Sequence, residues 1–92
     1  MQILETNYGP TGKLTAVVDG NEMKIQIDGE EIAFGYVDSA GDLMFDGHRC
    51  WIDDRYVAES GELTARGIGI AHVAERLFHA GQLVGGFFYS AS

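Results

Sequence analysis

The sequence predicts an α+β fold: an antiparallel β-meander of five or six strands, one C-terminal amphipathic helix packed on one sheet face, and a final apolar strand. Three observations predict it. Turn signals such as Asp19-Gly20, Asp28-Gly29 and Asp46-Gly47 punctuate the first two-thirds of the chain. The apolar residues between them alternate with a period of two. Beyond Asp53 the period becomes that of a helix. The chain has 92 residues, 46% of them hydrophobic and 22% charged. That is enough for a core and for one domain, residues 1–92.

Each element has its own local signature. Gln2 to Tyr8 alternates loosely and breaks at Gly9-Pro10-Thr11-Gly12, where Pro10 has no N–H to donate. Lys13 to Val18 sets Leu14, Ala16 and Val18 on one face. Met23, Ile25 and Ile27 share a face, with Lys24 and Gln26 on the other. Asp28-Gly29 suits a two-residue type I′ turn, which needs positive φ at both positions. Ile32, Phe34 and Tyr36 alternate in turn, and Asp38 to Asp42 is a polar loop. Leu43 to Phe45, Asp46-Gly47 and His48 to Ile52 then read as a further hairpin.

Ile70, Ala74, Leu77 and Phe78 form one helical stripe, with His72, Glu75, Arg76 and His79 opposite. This predicts a helix over Ile68 to Ala80. Ser60 and Thr64 are both candidate N-caps, and Gly81 is placed as the residue that ends it. Gly67 and Gly69 each cost about 1 kcal/mol inside a helix relative to Ala. Leu83 to Tyr89 carries no charge and reads as the final strand, to be paired or covered because a bare apolar edge aggregates.

Composition excludes several functions. Fourteen acids against six Lys and Arg give a net charge of −8, which repels bare nucleic acid and anionic membranes. No apolar run approaches the roughly 20 residues of a membrane span. Met1 to Tyr8 has no signal-peptide character. The single Cys50 cannot form an internal disulfide, so a reducing, cytoplasmic setting is expected.

Catalytic signals are weak. Ser39 and Ser60 lie outside any nucleophile elbow. The adjacent pairs Glu30-Glu31 and Asp53-Asp54 would point apart in extended chain. His48 and Cys50 suit zinc, but a structural site needs two further ligands. His72 and His79 lie seven residues apart, roughly 10 Å along a helix, too far to share one ion. The glycines of Gly67-Ile68-Gly69-Ile70-Ala71-His72 lack the strand before them and the small residue at 72 of a dinucleotide loop. No enzyme activity, catalytic residue, cofactor or metal is expected. For Trp51 two readings stand: core packing, the usual fate of a large aromatic, or an exposed Arg49–Trp51 pair with hot-spot composition.

The negative charge is local. Residues 28–62 hold ten acids against Arg49 and Arg55 alone, so this stretch accounts for the whole net −8. Asp favours hairpin turns for local reasons. The same concentration also makes a negative face suited to a basic surface, with Asp38, Asp42, Asp46, Arg49, Trp51, Asp53, Asp54 and Arg55 as the expected interface.

A single acidic α+β domain of this size, mostly antiparallel and without catalytic motifs, resembles the small phage-encoded inhibitors typified by anti-CRISPR proteins. The resemblance spans the whole chain as size, charge and layout, and assigns no role to any residue. It implies a protein of the host bacterial cytoplasm that binds a CRISPR ribonucleoprotein complex and blocks target DNA access. The expected partner is therefore a basic nucleic-acid-binding protein or such a complex, with no bare nucleic acid and no membrane. The alternatives are a structural or assembly subunit, a homodimer for example, that self-associates through the apolar C-terminal strand, and a small metal-dependent enzyme using His48, Cys50 and a helix histidine, His72 or His79.

Overall fold

A computed structural model describes residues 1–9 and 12–91, with side chains up to residue 82. The Pro10-Thr11 part of the first turn lies outside the described residues. The strands are β1 (Gln2–Tyr8), β2 (Gly12–Asp19), β3 (Glu22–Ile27), β4 (Glu30–Val37), β5 (Leu43–Met44) and β6 (Trp51–Ile52). A one-turn 3₁₀ helix, Asp54–Tyr56, precedes α1 (Ala65–Ala91), the one α-helix among the described residues. All pairings are antiparallel, in the order β1-β2-β3-β4-β5, with β6 also on β4. The α+β meander with a C-terminal helix is thus the observed fold.

Periodicity and turn chemistry build the first three hairpin strands. Leu14, Ala16 and Val18 of β2 and Met23 and Ile25 of β3 are buried on the face that meets α1. Asp28 (φ 52°) and Gly29 (φ 85°) give the double positive φ that a type I′ turn requires. The Asp28 carboxylate also accepts the Lys13 N–H at 2.9 Å, which ties the turn to β2.

Three features depart from expectation. The first lies in β4. Ile25 pairs with Ala33 but Gln26 pairs with Glu31, so Ile32 is an extra residue, a β-bulge. Ile32 and Ala33 are both buried, and every later side chain of β4 changes face. Gly35 and Val37 turn inward, while Phe34 and Tyr36 turn outward and are only half-buried. Ile32 therefore lies on the opposite face from Phe34 and Tyr36.

The second concerns the expected hairpin at Asp46-Gly47. Leu43 and Met44 pair with Val37 and Tyr36, and Trp51 and Ile52 pair with Phe34 and Ala33. β5 and β6 are consecutive pieces of one edge strand, and Phe45 to Cys50 leaves the ladder between them. The departure occurs opposite Gly35, where a Cβ would collide with the Met44 carbonyl and the Phe45 ring. His48 sits in this excursion and not in a strand.

The third concerns α1. Thr64 caps it, its Oγ1 accepting the Gly67 N–H at 3.2 Å. Ile70, Ala74 and Phe78 are buried as the stripe predicts. Gly81 does not end the helix. It is buried where α1 crosses β1, and a Cβ there would press on Leu4 and Gln2. With that position inside the helix, the backbone stays helical to Ala91, and no final strand forms over 83–89. An unbroken helical ladder satisfies its own backbone groups, whereas a strand needs a neighbour.

Candidate binding surfaces

The eight residues expected at the interface fall into three local groups. Asp38 and Asp42 belong to the β4–β5 loop. The Asp38 carboxylate accepts the N–H groups of Ala40 and Asp42, both at 3.0 Å, so it shapes the loop. α1 supports the same loop: Glu75 accepts the Leu43 N–H at 3.0 Å, and His79 Nε2 donates to the Gly41 carbonyl at 2.9 Å.

Asp53, Asp54 and Arg55 form the second group. Asp53 caps the 3₁₀ turn, accepting the Arg55 backbone N–H at 2.9 Å and its Nε–H at 3.0 Å. Arg55 also pairs with Glu30. The Arg55 guanidinium holds the Asp53 carboxyl below its ordinary value of 3.8, and the two acids hold Arg55 firmly protonated.

Asp46, Arg49 and Trp51 make the third group, at the margin of the sheet face remote from α1. Arg49, in the left-handed region at φ 72°, pairs with Glu22 at 3.0 Å and lies 5.8 Å from the Phe34 ring centroid. Trp51 stands opposite Phe34 in register and is 42% exposed, so the core reading of Trp51 is replaced by the surface one. Asp46 accepts the Tyr36 hydroxyl at 3.0 Å, and this bond to a carboxylate raises the Tyr36 pKa.

Both cations of the acidic stretch are thus consumed by acids. Asp42, Asp54, Glu59 and Glu62 are exposed, and none has a side-chain hydrogen bond or a cation within 4.0 Å among the described residues. An open groove of about 560 Å³ lies between the β5–β6 edge and the segment after the 3₁₀ turn, where Val57 bridges to Leu63; Asp42 and Glu62 are next in sequence to residues that line it. Leu43, Met44, Phe45, Ile52, Val57 and Leu63 line it, with Asp46 at the rim. Sequence reasoning missed this groove, because it assigned Leu43 to Ile52 to a self-contained hairpin.

Among the described residues no three His, Cys, Asp or Glu side chains stand close enough to hold one metal ion. Nor is any described helix long and apolar enough to cross a membrane. No protein-family model, curated protein or solved structure matches this chain.

Proposed function

We propose that this protein is a binding module that docks its acidic edge on a basic nucleic-acid-binding protein, a CRISPR ribonucleoprotein complex being one such partner, and blocks target DNA access without catalysis. The observation that carries the reading is the set of four exposed carboxylates, Asp42, Asp54, Glu59 and Glu62, that have no side-chain partner among the described residues, on a chain that also has an apolar groove along its β5–β6 edge. Protein interfaces gain affinity from a desolvated apolar centre and gain encounter rate and selectivity from complementary charge at the rim. A basic surface that normally grips phosphates supplies the matching charge. The assembly reading depended on an apolar C-terminal strand, and α1 occupies that segment instead.

The test is competition. The wild type, added to a DNA-binding ribonucleoprotein, lowers its binding of target DNA. The combined variant Asp42→Asn, Asp54→Asn, Glu59→Gln and Glu62→Gln keeps its fold and competes more weakly. Equal competition by both proteins, or none by either, overturns the proposal.

A further inference from the structure

Among the described residues no helix covers the sheet face remote from α1, and its composition differs from that of the acidic edge. Cross-strand register places Ile3, Val17, Lys24, Phe34 and Trp51 in one row across β1, β2, β3, β4 and β6. At about 4.8 Å between strands, the row spans roughly 19 Å. Met1 (89% exposed), Ile3 (63%) and Trp51 (42%) lie on or beside it, three of the four large hydrophobic residues exposed among those described. The Ile32 bulge places Phe34 there, and the left-handed Arg49 holds its guanidinium over that ring.

Charge on this face is nearly balanced. Glu5 pairs with Lys13, Glu31 with Lys24 and Glu22 with Arg49. Among the described residues Asp19 adds an uncompensated charge within the face, and Asp46 adds one at its margin. In a molecule of net charge −8, a basic partner is drawn to the unpaired acids Asp42, Asp54, Glu59 and Glu62. A second copy of the chain is repelled there and meets little repulsion here. Alternating cations and anions on one surface are also complementary to the same surface turned over.

From these relationships we infer that the helix-free sheet face is an isologous homodimer interface. A two-fold axis along the strand direction reverses the row and lays Ile3 of one copy over the Phe34–Trp51 end of the other, as two sheets pack face to face. Trp51, Tyr36 and Arg49 supply the residue types that dominate interface energetics. The acidic edges stay outward, so the dimer presents two copies of the proposed docking site. This inference does not depend on that site's function.

Sedimentation equilibrium of the purified protein over a wide concentration range tests it. The wild type shows a monomer–dimer equilibrium. Trp51→Ala and Ile3→Glu, both at exposed positions, each weaken dimerisation by about tenfold or more while retaining the wild-type circular dichroism spectrum. Ile68→Glu, an exposed apolar position on α1, leaves it unchanged. A concentration-independent monomer mass for the wild type overturns the inference, whether or not the variants fold. So does a dimer that Trp51→Ala and Ile3→Glu leave intact, or one that Ile68→Glu dissociates.

Discussion

Ile32 and Ala33 are consecutive residues of β4, and both are buried in the same core. Strand geometry allows this only because Ile32 is the extra residue of a bulge opposite the Ile25–Gln26 step of β3. The bulge lets the first part of β4 and its last part both serve the core, while the aromatic residues between Ala33 and Val37 turn outward. One inserted residue thus sends Phe34 and Tyr36 to the face remote from α1.

Ile32 is 1% exposed, so Ile32→Ala should cost about 2–5 kcal/mol, whereas Phe34→Ala on the open face should cost clearly less despite removing a larger side chain. Urea denaturation midpoints of the two variants check this ordering. Equal or reversed costs would mean that Phe34 belongs to the core.

Gly35 is required by packing and not by backbone conformation. Gly35→Ala sets a methyl group against the Met44 carbonyl and the Phe45 ring, and overpacking of this kind costs about 1–3 kcal/mol. Thermal melts should show the loss, and a stability equal to wild type would mean that the excursion between β5 and β6 moves freely.

The Asp53–Arg55 pair makes stability depend on pH in one direction. Because Asp53 has a lowered pKa in the folded protein, its stabilising effect is complete above the ordinary carboxylate range and is lost as pH falls through the folded value. Asp53→Asn keeps a side-chain oxygen for the Arg55 N–H and removes the charge. The wild type should therefore exceed this variant in stability at about pH 7 and lose the advantage by about pH 2. Denaturation midpoints at the two pH values check it, and a constant gap contradicts it.

Thr64→Ala removes the acceptor for the Gly67 N–H at the start of α1 and should cost about 0.5–2 kcal/mol, with Thr64→Ser close to wild type. Hydrogen exchange at Gly67 reads the cap locally. Unchanged protection in the alanine variant would place the cap elsewhere.

The sequence makes local regularities legible and long-range choices illegible. The alternation of β2 and β3, the Asp28-Gly29 turn and the Ile70–Phe78 stripe are each set by neighbours a few residues apart. The bulge at Ile32 is set by register with β3, and no local residue pattern marks it. Asp46-Gly47 looks like a hairpin turn, yet both flanking segments find β4 as their partner, because Gly35 lets the chain cross closely. Gly81 resembles a helix stop and serves as the small residue where α1 passes Leu4 and Gln2. The acidic stretch was legible from counting charges. Which of its members are free was not, since Asp38 and Asp53 are engaged in turns and Asp46 with Tyr36.

In the proposed function, the four exposed acids Asp42, Asp54, Glu59 and Glu62 drive docking on a basic partner. Binding affinity for a DNA-binding ribonucleoprotein, measured against salt concentration for the wild type and for the Asp42→Asn, Asp54→Asn, Glu59→Gln, Glu62→Gln variant, tests it most directly. Wild-type affinity should fall steeply with salt, and the variant should bind more weakly with a flatter salt dependence. Superimposable curves for the two proteins would contradict it.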